Sequence, residues 1–328
     1  MVGVITIIGS LNYDLVTYTK RIPNAGETYA AKSFESHLGG KGLNEAIASA
    51  RLSPSEEIKV RMVGNVGTDS FGTELKAALV DANIDTSFIR TIQGQSGVAV
   101  ILVEEDSGEN RILITSGANG ELKPSNEDYE TYFPESKIQV AEYVIIQNEY
   151  PDTLNSINWI NSNRANINVA YNPSPFNSDY ITPQLLLKVD LLIVNEGEAN
   201  DIAKTLLNFD TRESSGDLNY CKRLAKQLFE KINSKNIQTV IITMGSQGCV
   251  YIGKEVDEVQ FTAAVTVDKV IDTTGAGDTF FGGVVLQLAN GRSLRQAIEF
   301  ATMASSIVVQ SKGAVESIPF YKDVKVDK

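Results

Sequence analysis

The chain has 328 residues, 42% of them hydrophobic and 21% charged, enough apolar content for a globular core and too little bias for a low-complexity protein. Its formal net charge of -12 argues against nucleic acid as a partner, because that binding needs a basic surface and counterion release. Two distant cysteines, Cys221 and Cys249, and a single histidine, His37, allow at most one disulfide, supply no metal-ligand spacing, and leave Ser-His-Asp or Cys-His chemistry to His37 alone.

The segment from Met1 to Gly9 is apolar but too short to span a membrane, and it lacks the basic flank of a secretory signal. A soluble intracellular protein is expected, cytoplasmic, with the nucleus left open. Val4 to Ile8 is a β-branched run ending at Gly9, the pattern of a buried strand. Asn12-Tyr13-Asp14 follows at once. Two short polar side chains beyond a strand's carboxyl end suit adjacent hydroxyls of a ligand, although an isolated Asn-x-Asp more often makes an Asx-turn. Thr28 to Phe34 reads as a further strand. His37 is read as incidental.

Gly39-Gly40-Lys41-Gly42-Leu43-Asn44 precedes a good helix former. It lacks the spacing of a Walker A loop, and its glycines, lysine and asparagine either line a polar pocket or cap the helix. Gly97 to Glu104 and Asn110 to Thr115 are β-rich runs joined by a polar turn. From there the rhythm changes. Apolar runs at Tyr143 to Ile146, Ile167 to Ala170, Leu191 to Val194 and Thr239 to Ile242 alternate with helical stretches such as Thr153 to Asn163 and Leu218 to Asn233. Alternation of this kind predicts an α/β chain: a mostly parallel central sheet with helices on both faces, Rossmann-like. The earlier β-rich runs predict a small β-sheet lid, with strands drawn from about 15–35 and 97–116, in one unit over 1–328.

Two strand-to-turn junctions bear polar or small residues. Asn195-Glu196-Gly197-Glu198 suits Mg²⁺ or a polar helix start. Thr243-Met244-Gly245-Ser246-Gln247-Gly248 suits a phosphate or a tight turn. The most informative segment is Ile271-Asp272-Thr273-Thr274-Gly275-Ala276-Gly277-Asp278-Thr279-Phe280, followed by a helical stretch from Phe280 to about Ala289 that stops at Asn290-Gly291. Small residues let backbone approach a ligand, and free amides at a helix N-terminus bind anions. Asp278, in that first turn, is placed either to take a proton from an attacking hydroxyl or simply to complement the helix dipole.

Taken together and in this order, the segments from Gly9-Ser10-Leu11-Asn12-Tyr13-Asp14 to Lys312-Gly313-Ala314-Val315-Glu316-Ser317 resemble the ribokinase family of carbohydrate kinases, and within it the fungal ribokinases. Asp272 to Phe280 is similar to the family's C-terminal signature, and Gly39-Gly40-Lys41-Gly42 with Asn44 to its N-terminal one. The resemblance implies transfer of phosphate from ATP to the 5-hydroxyl of D-ribose, with Mg²⁺ and a monovalent cation, K⁺. It implies Asp278 as the base and the amides of Gly275, Ala276 and Gly277 as an anion hole. Asn12, Asp14, Gly40, Lys41, Asn44 and Glu149, with Asp278, would hold the sugar. Asn195, Thr243, Gly245, Gly248 and Gly277 would contact ATP, Thr302 would lie near adenine, and Glu198 would organise Mg²⁺ through water. Asp272, Thr274, Val308, Ser311, Gly313 and Ser317 match positions around the monovalent cation, several of them through backbone carbonyls. A homodimer with interlocking lids is implied as well.

One position departs from the family pattern. Glutamine often follows the asparagine matched by Asn44, and Glu45 stands here instead, adding negative charge near the pocket. Two other readings stay open: a relative acting on fructose or a nucleoside, and a catalytically silent sugar sensor on the same fold.

Overall fold

The near-continuous apolar runs fold as strands covered on both faces, as a parallel sheet between two helical layers requires. The structure, a computed structural model, describes residues 3–54, 57–104, 106, 109–135, 140–207 and 216–325. Its strands are β1 (Gly3–Ile8), β2 (Asn12–Thr19), β3 (Ser33–Gly39), β4 (Ile58–Gly67), β5 (Asp85–Ile92), β6 (Gly97–Glu104), β7 (Asn110–Thr115), β8 (Ala141–Ile146), β9 (Asn168–Tyr171), β10 (Leu191–Asn195), β11 (Thr239–Thr243), β12 (Gly248–Gly253) and β13 (Gln260–Ala263). The helices are α1 (Lys41–Arg51), α2 (Ser70–Asp81), α3 (Asn126–Tyr132), α4 (Thr153–Asn163), α5 (Pro183–Leu186), α6 (Glu196–Leu206), α7 (Leu218–Phe229), α8 (Ala276–Ala289), α9 (Leu294–Val308) and α10 (Ala314–Ser317).

Nine strands form the main sheet in the order β13-β12-β11-β10-β9-β8-β1-β4-β5. All pairings from β5 across to β11 are parallel, and β12 and β13 close one edge in antiparallel fashion. The period-2 alternation of a strand splits the core in two. Ile5, Ile7, Tyr143, Ile145, Leu191 and Ile193 pack with residues of α1, α8 and α9, whereas Ile8, Val144, Ile146, Leu192 and Val194 pack with residues of α4, α6 and α7. β1 lies between β4 and β8, so the strand order reverses there. The carboxyl ends of strands at such a reversal leave a crevice for ligands.

A separate four-stranded sheet, in the order β3-β2-β6-β7, emerges from the carboxyl end of β1. Its central pair, β2 and β6, is parallel, and its outer pairs are antiparallel. Every residue of β7 is exposed. Residues 105, 107 and 108 of the turn before β7 lie outside the described residues.

Three boundaries differ from the sequence reading. The third lid strand is Ser33–Gly39 rather than Thr28–Phe34. Its ladder with β2 pairs Asn12 with Gly39 and Tyr18 with Ser33, a register fixed by the passage from Gly39 into α1, and it leaves 28–32 before the ladder. The helix expected over Leu218 to Asn233 stops at Phe229, because Asn233 turns its side chain to Asp190 (Nδ2 to Oδ1, 2.7 Å) and its amide to the Val189 carbonyl (2.9 Å). The helix expected from Phe280 begins four positions earlier, at Ala276, with Gly275 as its N-cap in a left-handed conformation (φ 78°). Among the described residues, no helix is long and apolar enough to cross a membrane.

Candidate active site

The passage from lid to main sheet places the first polar groups. Gly40 caps α1 with φ 91°, and a Cβ there would lie 2.8 Å from the Asn12 amide nitrogen. Only glycine fits a backbone with this sign of φ pressed so closely against another. Lys41 therefore opens α1 directly after the lid strand β3. Glu149, beyond β8, accepts the Lys41 amide at 3.0 Å and a hydrogen bond from the Ser10 hydroxyl, so a carboxylate sits on the positive end of the helix.

Asp278 faces this helix from α8. The apolar residues after it, Phe280, Phe281, Val284 and Val285, are buried and fix α8 in the core, leaving its first turn at the crevice. Asn44 donates from Nδ2 to Asp278 Oδ2 at 2.8 Å, and Lys41 Nζ approaches Asp278 Oδ1 at 3.5 Å. Burial pulls the Lys41 ammonium down, but the carboxylates around it, Asp278 first and Glu149 next, outweigh it and hold its pKa above the ordinary value. Lys41 is therefore a fixed cation. Of the first-turn amides of α8, that of Ala276 is engaged by the Thr273 carbonyl at 3.2 Å, while those of Gly277 and Asp278 have no partner among the described residues. The Ser305 hydroxyl holds the Ala276 carbonyl at 3.0 Å, and a Cβ on Gly277 would meet open space.

These groups border a cavity of about 120 Å³ whose lining includes Lys41, Glu45, Asn195, Glu198, Thr243 and Asp278. Asn195 caps α6 and accepts the Glu198 amide at 2.8 Å, while Glu198 Oε2 accepts the Asn195 amide at 3.0 Å and Asn172 Nδ2 at 3.1 Å. Among the described residues no cluster of three or more His, Cys, Asp or Glu could cage a metal. A single carboxylate already tied to its helix suits an ion that keeps its waters, as Mg²⁺ does. Gly245 and Gly248 bracket the turn between β11 and β12, beyond Thr243. Thr302 is buried on α9 and does not line the cavity.

Asn12 and Asp14 lie on β2, at the root of the lid. Asp14 pairs across the ladder with His37, and burial, then Glu149, pushes its carboxyl up to about 7, with His37 pulling it back. Asn12 Oδ1 accepts from Asn119 Nδ2 at 2.8 Å.

Behind α8, two loops are tied together. Asp272 Oδ1 accepts the Thr274 amide (2.9 Å) and hydroxyl (2.6 Å), and its Oδ2 accepts the Gly313 amide at 3.0 Å. The Val309 carbonyl accepts the Ile271 amide at 2.8 Å. Val308 ends α9, Ser311 lies in the connection that follows and Ser317 ends α10; the Ser311 amide meets the Val308 carbonyl at 3.2 Å and the Ser317 hydroxyl the Ala314 carbonyl at 2.8 Å. The donors gathered here are all oxygen, which suits a hard cation.

Four residues with a part in this arrangement escaped the sequence reading. Asn172 and Ser174 line the cavity from beyond β9, and Gln147 backs it at the end of β8. Asn119 clamps the backbone of Leu11 in both directions, accepting its amide and donating to its carbonyl, each at 3.0 Å. Each is an isolated polar residue without a motif around it. A polar side chain directly beyond an apolar strand was the signal available for Gln147 and Asn172.

Residues 4–320 match the pfkB family of carbohydrate kinases. A ribokinase of Schizosaccharomyces pombe is 36% identical over 326 residues, covering 98% of this chain and 96% of the relative. The crystal structure of ribokinase from Cryptococcus neoformans in complex with ADP superposes with a TM-score of 0.80 at 29% identity, covering 98% of each chain. The structure of Arabidopsis thaliana ribokinase complexed with ribose and ATP gives 0.81 at 27% identity, covering 98% of this chain and 96% of that one. With nearly its whole length matched, the chain belongs to the pfkB family of carbohydrate kinases, ATP-binding phosphotransferases.

Proposed function

We propose that the chain transfers the γ-phosphoryl group of ATP to the 5-hydroxyl of D-ribose, giving ribose 5-phosphate and ADP. The observation that carries this reading is the Asp278 carboxylate, held by Asn44 and Lys41 at the first turn of α8 on the wall of the cavity. The Arabidopsis relative was solved with both of these ligands, which supports the choice of substrate.

In this reading Asn12, Asp14, Gly40, Lys41, Asn44 and Glu149 hold the sugar and turn its terminal hydroxyl toward Asp278, which takes the proton as the new bond to phosphorus forms. Phosphate oxygens meet the first-turn amides around Gly275, Ala276 and Gly277, where the helix dipole favours negative charge. The Ala276 amide gives up Thr273 to take part. Lys41 adds its fixed charge. Asn195, Thr243, Gly245 and Gly248 receive the nucleotide, with Thr302 toward adenine. Glu198 would hold Mg²⁺ through water, where the ion would offset charge on the phosphates. Asp272, Thr274, Val308, Ser311, Gly313 and Ser317 would hold K⁺, and holding it would stiffen the loop before α8. The lid excludes water from the transfer. Its exposed apolar residues, Phe34, Ile112, Leu113 and Ile114, support a homodimer through the lid. A cytoplasmic location fits a chain that works on ATP.

The test is ADP release measured with ribose, 2-deoxyribose, fructose and adenosine, on the native chain and on Asp14→Ala. Ribose is expected to give the highest kcat/KM. Losing Asp14 should cost ribose about 10–100-fold and 2-deoxyribose less, since hydrogen bonds to charged groups contribute roughly 1.5–3 kcal/mol each. A preference for fructose or adenosine would reassign the substrate. No ADP release with any of the four would favour a catalytically silent sensor.

A further inference from the structure

Glu45 is completely buried, with 0% of its surface exposed, yet it lines the cavity beside Asp278 and Lys41. Its Oε2 accepts a hydrogen bond from Gln147 Nε2. Its Oε1 and the Oε1 of Gln147 are both buried, and neither has a partner among the described residues. As a carboxylate, Glu45 is acceptor-only, so this pair holds two orphan acceptors and no donor for either. Buried polar atoms are rarely left so.

One proton removes the deficit. A carboxylic acid and a primary amide placed edge to edge exchange two hydrogen bonds. Here Gln147 Nε2–H would donate to Glu45 Oε2, and Glu45 Oε1–H to Gln147 Oε1. Both orphan oxygens are then satisfied without any further group.

The surroundings favour the same state. Lys41 faces Glu45 from its own helix, Asp278 from α8, Gln147 from the end of β8 and Glu149 from just beyond it. Lys41 is the cation of the set, and its ammonium is directed to Asp278. Burial pushes the Glu45 carboxyl well above its ordinary range, and Asp278 adds to this, while Lys41 and Gln147 oppose it.

We propose that Glu45 is a positioning residue that works as the un-ionised acid: paired with Gln147, it anchors the first turn of α1 so that Lys41 and Asn44 meet Asp278 with no further charge behind them. Its effect on turnover rests on the kinase reading of the cavity. Its protonation does not. Ionised, Glu45 would compete with Asp278 and with phosphate for Lys41.

The experiment compares the native chain with Glu45→Gln and Glu45→Leu, following melting temperature from pH 5 to pH 8 and kcat at pH 7. A carboxyl whose folded pKa is raised contributes stability that is full below its unfolded pKa and is lost as pH rises through the folded one. Both variants should therefore gain on the native chain as pH rises, by about 2 °C per pH unit for a chain of this length. Glu45→Leu, which orphans Gln147, should lose about tenfold or more in kcat, and Glu45→Gln should recover most of that loss. A melting difference that stays constant with pH, or that moves the other way as for a paired carboxylate, overturns the un-ionised state. A folded Glu45→Gln no more active than Glu45→Leu overturns the positioning role. The melting series needs no substrate, so a chain that phosphorylates no sugar would sink the kinase reading and leave the protonation test standing.

Discussion

Asn44 of α1 and Asp278 of α8, 234 positions apart, are joined by a hydrogen bond of 2.8 Å from amide nitrogen to carboxylate oxygen. The bond aims Asp278, since the amide N–H holds one carboxylate oxygen in place, and it sets the carboxylate where α1 and α8 converge. A base that must meet one hydroxyl needs this fixed direction more than it needs proximity alone.

Replacing Asp278 by asparagine keeps the shape and removes the base. The expected loss in kcat is ~10²–10⁴-fold, with sugar and nucleotide binding largely retained. Single-turnover rates and equilibrium binding separate the two effects. Retention of more than about a tenth of kcat would assign the proton to another group.

Monovalent cations are expected to matter through Asp272. Exchanging choline or Na⁺ for K⁺ at constant ionic strength should raise the rate, because a stiffened loop presents its donors ready-placed. Asp272→Ala should blunt the rise, since the carboxylate binds Thr274 on one loop and Gly313 on the other. Equal rates in the three salts would remove the cation from the scheme.

The Asp14 carboxyl, pushed from 3.8 to about 7, gives a stability effect with a definite sign. Between these values the folded chain keeps a proton that the unfolded chain has released, so the contribution of Asp14 to stability is full below pH 4 and is lost as pH rises toward 7, by up to ~1.4 kcal/mol per pH unit. Asp14→Asn removes that slope. Its melting temperature should rise relative to the native chain across the window and level off above it, and a flat difference would contradict the raised value.

The lid makes a prediction about assembly. Leu113, 69% exposed between the exposed Ile112 and Ile114, offers apolar surface at the sheet's edge strand. Sedimentation should find a dimer for the native chain and a monomer for Leu113→Lys. A native monomer at micromolar concentration would leave this strand without the expected partner.

The main sheet was legible in the sequence because its strands are covered on both sides, so that runs such as Leu191 to Val194 carry no polar interruption. The segments around Asp278 and Lys41 were legible for a related reason: their glycines and polar residues are contiguous in the chain. The rest depends on distant partners. Asn119 gains its role from Leu11 and Asn12, 108 and 107 positions earlier, and nothing beside it in sequence announces that. The third lid strand is expected too early because Thr28, Tyr29 and Phe34 are strand formers, whereas the ladder with β2 ends at the glycine of its far end, Gly39.

That far end also governs where this chain tolerates changes of length. One residue, Gly40, separates the last rung of the lid, Gly39, from the first turn of α1 at Lys41. The next amides are already committed, Lys41 to Glu149 at 3.0 Å and Asn44 to the Gly40 carbonyl at 2.9 Å, so the junction has no slack. An inserted residue there would rotate Lys41 and Asn44 away from Asp278. The opposite end of the same strand is joined to β2 by residues 20–32, which are largely exposed, and a Cβ at Gly26 would meet no atom within 4 Å, although its φ of 80° favours glycine at that one position. Loop length costs little where the ends are already held. Insertions, tags and permuted termini belong at 20–32, and sequence comparison among relatives should find gaps there and none between Gly39 and Lys41.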